Sequence, residues 1–95
     1  AYDRLGGYAV MNPPIRDKRH LEAAWAAVRD GRVDVVGSDH APHPRAAKER
    51  PWPDCAAGLT GVQTIVPLML NHVSEGRLSL MRLADLMSTG PARVY

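Results

Sequence analysis

A single cysteine, Cys55, stands in 95 residues, so no internal disulfide can staple the chain, and one thiol fits a reducing compartment. No apolar run approaches the roughly 18 residues a membrane span requires. Charge of one sign is scarce as well. Twelve Lys and Arg stand against ten Asp and Glu, and a scattered net charge of +2 gives no footprint for nucleic acid. The opening AYDRLGGYAV is charged and holds no apolar core of signal-peptide length. It also does not begin with Met, which raises the expectation of a piece of a longer protein. Internal repeats, low-complexity tracts and interdomain linkers are absent. What is present is a globular composition, 45% apolar and 23% charged, so a cytoplasmic globular piece is expected.

The patterning predicts a strand, a helix and a second strand. Tyr8 to Met11 form a short apolar run between Gly6-Gly7 and Asn12-Pro13-Pro14, a buried-strand pattern that the prolines terminate. From Asp17 to Asp30 the period becomes helical, with Leu21, Ala24, Trp25 and Val28 on one stripe, Asp17 as cap and Gly31 just past the end. Val33 to Gly37 then reads as a brief β-branched strand. Such a βαβ unit spans about 35 residues and crosses over right-handed. A proline-rich loop from Ser38 to Leu59 follows, of a length that is usually functional. A helix is expected from Thr60, with Gln63 completing a capping box and Gly76 ending it. A shorter one is expected after Ser79, interrupted at Gly90-Pro91. Two strands leave both sheet edges open, so the segment is expected to belong to a larger α/β sheet or barrel.

The loop Ser38-Asp39-His40-Ala41-Pro42-His43 leaves directly from the second predicted strand, and parallel α/β folds place their active sites at carboxyl ends of strands. Asp39 there could bind a divalent metal and exchange a proton with water. His43, four residues on, could orient an anionic substrate or add a ligand. The same residues could equally be a turn-capping Asp and an exposed loop His. Asn12, at the other predicted strand end, offers donors and an acceptor at the same rim. His20 and His72 fall on helices and are read as structural, as are Trp25 and Trp52. Cys55 has no evident base partner, and Arg16 is read as an exposed residue after a turn.

Three motifs carry a resemblance: Met11-Asn12-Pro13-Pro14-Ile15-Arg16, Gly37-Ser38-Asp39-His40-Ala41-Pro42-His43 and Gly58-Leu59-Thr60-Gly61-Val62-Gln63-Thr64. In this order and spacing the chain resembles the dihydroorotase family of cyclic amidohydrolases, and Gly90-Pro91-Ala92-Arg93-Val94-Tyr95 is similar to the family's segment after the barrel. The Asp-His-Ala-Pro-His loop is the most specific part, whereas Asn-Pro-Pro is shared with hydantoinase-like and allantoinase-like enzymes. The resemblance implies an α/β fold, with residues 1–95 as a partial barrel domain, about the last two βα units of a (β/α)8 barrel. It implies one or two divalent metals, usually zinc, with Asp39 as both metal ligand and proton shuttle. It further implies that His43 meets a substrate carboxylate, Asn12 the ring, and Ala57-Gly58 hold the ring through their main chain. The family's His-x-His pair, carboxylated lysine and other metal histidines have no counterpart in this chain, and Val10 stands where the family often has a basic residue.

The expected partner is a small cyclic amide, with neither nucleic acid nor membrane, and a homo-oligomer stays open. Three readings follow: a dihydroorotase-like enzyme of pyrimidine biosynthesis, an allantoinase- or dihydropyrimidinase-like enzyme, and a non-catalytic dihydroorotase-like scaffold. His43 favours a ring that bears a carboxylate. Asp39 argues against the scaffold, which has no use for that carboxylate.

Overall fold

A computed structural model describes residues 2–95. In chain order the helices are α1 (Tyr2–Leu5), α2 (Lys18–Arg29), α3 (Arg45–Lys48), α4 (Ile65–Ser74), α5 (Leu80–Ala84) and α6 (Gly90–Val94). A 3-10 turn covers Gly6–Ala9 and a π-turn covers Asp85–Thr89. The residues fall into two compact units, one running to Arg16 and joined by Ser38–Gln63, the other made of Asp17–Gly37 and Thr64–Tyr95.

In the first unit the expected strand over Tyr8 to Met11 does not form. Gly6 adopts φ 50°, the chain tightens into the 3-10 turn, and the Val10 N–H bonds back to Gly7 O at 3.1 Å. A strand needs a ladder partner for its amides, and here a local turn takes the donor instead. Among the described residues the isolated bridge is a parallel one, His40 to Leu59, inside the stretch expected to be irregular. The Ala41 N–H donates to Leu59 O at 2.9 Å and the Ala56 N–H to Ala47 O at 3.0 Å, so the long loop is tied to itself. Among the described residues of this unit, Ala9, Lys48 and Cys55 are buried.

The second unit is helical, packed around Leu78, Leu83 and Leu86, with Trp25, Val28, Val33, Val36, Met69, Val73 and Met87 against them. Of the predicted α2 stripe, Trp25 and Val28 reach this core, while Leu21 is 49% exposed. Gly31, at φ 87°, supplies the left-handed residue past the α2 end that a side chain would resist. Val33 to Gly37 forms no regular strand. The Val36 N–H goes to Leu86 O at 3.1 Å, and Val33 O accepts from Arg82 Nη2, so these groups serve the helices rather than a ladder. Arg82 also donates to Val28 O at 2.8 Å, capping a carbonyl in the last turn of α2.

Helix starts are decided by local chemistry. Ser79 caps α5 as its spacing predicts, its Oγ accepting the Arg82 N–H at 3.1 Å. The α4 helix begins at Ile65 rather than Thr60, and no capping box with Gln63 forms. Pro67 explains the shift: in the first turn of α4 its missing N–H costs nothing, whereas a start at Thr60 would bury it mid-helix. At Gly90-Pro91 the helix is not interrupted. A π-turn precedes α6, and Pro91 lies in that helix's first turn, where no intrahelical donor is required of it.

Candidate functional site

The first unit collects Asn12, His43, Ala57 and Gly58. The His43 Nε2 lies 3.0 Å from Ala57 O, a contact in which the ring N–H donates to the carbonyl. The Gly58 N–H donates to Val10 O at 3.0 Å. Gly58 stands at φ 147°, and a Cβ there would lie 2.7 Å from Ala41 O and 2.9 Å from His43 Nε2. Glycine is therefore required twice at Gly58, for its backbone angle and for the close approach of the His43 loop.

Two cavities open on this backbone. One, of about 600 Å³, is lined by Asn12, Ala57, Tyr2, Val10, Trp52 and Cys55 among others. The other, of about 440 Å³, is lined by His43, Gly58, Ala41, Tyr8, Arg45 and Lys48 among others. Ala57 thus lines the cavity that holds Asn12, and Gly58 the one that holds His43. Trp52, expected to pack, is instead 77% exposed at the rim of the first cavity. In the second, Tyr8 and Arg45 both bond Glu49, with Arg45 Nε 2.8 Å from Oε1. The Tyr8 hydroxyl first, and Arg45 second, hold the Glu49 carboxyl below its usual range.

Asp39 is exposed and lines neither cavity. Its backbone is at φ 45°, a left-handed angle that non-glycine residues seldom take and that aspartate tolerates better than most. Strain of this kind persists where surrounding structure imposes it. Here His40 supplies the constraint: its Nδ1 accepts the Gly61 N–H at 2.9 Å and the Val62 N–H at 3.2 Å, anchoring the residue next to Asp39. His72 contacts Trp25 edge-on, with ring centroids 4.6 Å apart, and so serves the helical unit.

Sequence reasoning passed over two residues of this region. Lys48 is one of only two lysines, and its place in a proline-rich loop gives no periodic sign of burial, yet it is 6% exposed. Its Nζ donates to Val10 O at 2.9 Å, Ala56 O at 2.8 Å and Gly58 O at 3.0 Å. His40 was hidden between Asp39 and Ala41 because an acceptor for backbone amides leaves no signature in spacing.

The sequence is similar to those of cyclic amidohydrolases. A dihydroorotase of Halobacterium salinarum is 43% identical over 93 residues, covering 98% of this chain and 22% of the relative. The chain is a relative of the cyclic amidohydrolases. An L-hydantoinase of Paenarthrobacter aurescens is 38% identical over 97 residues, covering 98% of the chain and 21% of that enzyme. The solved L-hydantoinase (dihydropyrimidinase) of Arthrobacter aurescens superposes with a TM-score of 0.90 at 38% identity, over 98% of this chain and 22% of its own. No family model matches the sequence. The chain spans about a fifth of the length of the cyclic amidohydrolases it matches, and hydantoinases of this kind are TIM-barrel enzymes.

Proposed function

We propose that this chain is the part of a (β/α)8 amidohydrolase barrel, about its last two βα units, that faces the ring of a cyclic amide. The complete enzyme is then a dihydroorotase-like hydrolase interconverting dihydroorotate and N-carbamoyl-aspartate in pyrimidine biosynthesis, in the cytoplasm. The observation that carries this reading is the contact between His43 Nε2 and Ala57 O, which sets an imidazole beside the Ala57-Gly58 main chain. A ring held by amide groups of that main chain and by Asn12 would bring its carboxylate within reach of the imidazole. With Nε2–H donating to Ala57 O, Nδ1 can meet the anion as a donor only in the imidazolium form, in which both ring nitrogens carry a proton.

Asp39 is the proposed catalytic residue. A carboxylate can take a proton from an attacking water and return it to the ring nitrogen as the amide bond breaks. Cyclic amidohydrolases are generally metal-dependent, and zinc is the metal proposed for the complete enzyme. The described residues do not make a zinc centre by themselves. No three His, Cys, Asp or Glu side chains among them converge, and a catalytic zinc takes about three protein ligands. Asp39 would supply one carboxylate to such a set. No helix of the described residues is long and apolar enough to cross a membrane.

A second reading, a hydantoinase or dihydropyrimidinase, is favoured by the L-hydantoinase superposition. The two separate on substrate. Turnover of dihydroorotate well above dihydrouracil and hydantoin by the complete enzyme is the expected result. The reverse preference would replace the first reading with the second, and no turnover of any ring would favour a scaffold.

A further inference from the structure

We propose that Lys48 is a positioning residue for substrate recognition, acting through the main chain that it holds and not by touching the substrate. The inference rests on the reading above, in which Asn12 and the Ala57-Gly58 main chain meet the ring. A lysine ammonium has three N–H donors, and three carbonyls lie within 3.0 Å of the Lys48 Nζ. These belong to Val10, Ala56 and Gly58. Val10 lies two residues before Asn12, and Ala56 and Gly58 flank Ala57 on both sides. One buried cation thus gathers the two backbone segments that carry the proposed ring contacts. Among the described residues no carboxylate forms an ion pair with it, so its charge is met by oriented peptide dipoles.

Peptide planarity makes the effect directional. In a trans peptide the C=O and N–H point in opposite directions, so fixing one fixes the other. Drawing Ala56 O toward Lys48 turns the Ala57 N–H away from it. Gly58 O is drawn the same way. The peptide between them is fixed independently, its carbonyl by His43 Nε2 and its N–H by Val10 O. Every peptide from Ala56 to Leu59 is then oriented, and the Ala57 N–H becomes a preset donor for a ring carbonyl. Preorganisation of this kind lowers the ordering cost of binding, so its loss falls on KM more than on the proton-transfer step at Asp39.

The test compares wild type, Lys48→Met and Lys48→Arg in the complete enzyme. It measures amide hydrogen exchange at residues 56–59, steady-state kinetics and Tm. Methionine keeps length without donors. Arginine keeps charge, but its planar fork cannot aim at three converging carbonyls. Lys48→Met is expected to speed exchange at Gly58 and raise KM by about tenfold each, with kcat within about threefold. Lys48→Arg is expected to give a smaller KM rise of the same kind, and it carries the test should Lys48→Met fail to fold. Unchanged exchange and KM in a folded variant would overturn the proposal. So would exchange that rises evenly over the whole molecule with kcat lowered and KM unchanged, the mark of a merely structural lysine. A wild-type enzyme that hydrolyses no cyclic amide would end the functional reading. The exchange comparison would still decide whether Lys48 orders residues 56–59.

Discussion

Asp39 is held at φ 45° by a neighbour, His40, whose ring takes two backbone amides, so its backbone placement does not depend on its own side chain. Asp39→Asn keeps the shape and tolerates the same angle, and it removes the carboxylate's charge and with it the capacity to accept a proton, which is why metal content is verified alongside. In the complete enzyme it is expected to lower kcat by about 10²–10⁴-fold while leaving KM nearly unchanged, read by steady-state kinetics at verified metal content. A near-normal kcat would remove Asp39 from proton transfer. His43→Ala separates the two leading substrates. A donor to a ring carboxylate is expected to be worth about 10- to 150-fold in kcat/KM on dihydroorotate and little on dihydrouracil, which lacks the anion. Equal losses on both rings would assign His43 to the loop, through its bond to Ala57 O. At this scale the sequence pointed to Ser38–His43 because glycine ends an apolar run there and a carboxylate follows. It could not point to Lys48, whose role is to satisfy carbonyls, a function any loop lysine has the atoms for.

Among elements, helices were legible where punctuation is local. Ser79 and Gly31 act at the positions their spacing predicts. Pro67, in the first turn of α4, outweighs the Thr60–Gln63 pair in setting where that helix starts. Strands were not legible, since a strand exists only with a partner: Tyr8 and Ala9 turn locally, and Val36 donates to a helix carbonyl. Two predictions belong here. Gly58→Ala would place a Cβ 2.7 Å from Ala41 O at φ 147°, so a loss of about 1–3 kcal/mol in stability is expected by denaturant titration. The helical unit carries a pH dependence as well. Asp85 accepts from Thr89 at 2.7 Å, Arg93 at 3.0 Å and Arg82 at 2.7 Å, and these bonds, Thr89 foremost, hold its carboxyl below the usual 3.8. A carboxylate depressed on folding stabilises the native state fully above its unfolded value, and the gain disappears as pH falls through the folded value. Helicity by circular dichroism should therefore decline below about pH 3.8, and Asp85→Asn should flatten that part of the curve. An identical acid limb in the variant would show that other carboxylates govern it.

Over the whole molecule, the described apolar residues that are buried are few: Ala9, Cys55, Leu78, Leu83 and Leu86. Against them, Leu21, Val66, Leu68, Leu70, Leu80, Met81 and Val94 are between 45% and 79% exposed. Apolar surface on this scale marks a face that another surface covers, and the rest of a barrel is the cover the proposed function supplies. The same incompleteness governs the chemistry. Asn12, His43, Ala57 and Gly58 gather around one stretch of backbone, where the proposed function places the ring, whereas no three metal-ligating side chains converge among the described residues. Binding and catalysis should therefore separate on this chain. The 95-residue chain alone is expected to hydrolyse no dihydroorotate, even with added zinc, because one carboxylate falls short of the roughly three protein ligands a catalytic zinc takes. Calorimetric titration of zinc and a spectrophotometric ring-opening assay on the same preparation check the two halves. Zinc-dependent hydrolysis by the chain itself would mean that its own residues complete a metal centre around Asp39, against the arrangement of the described residues.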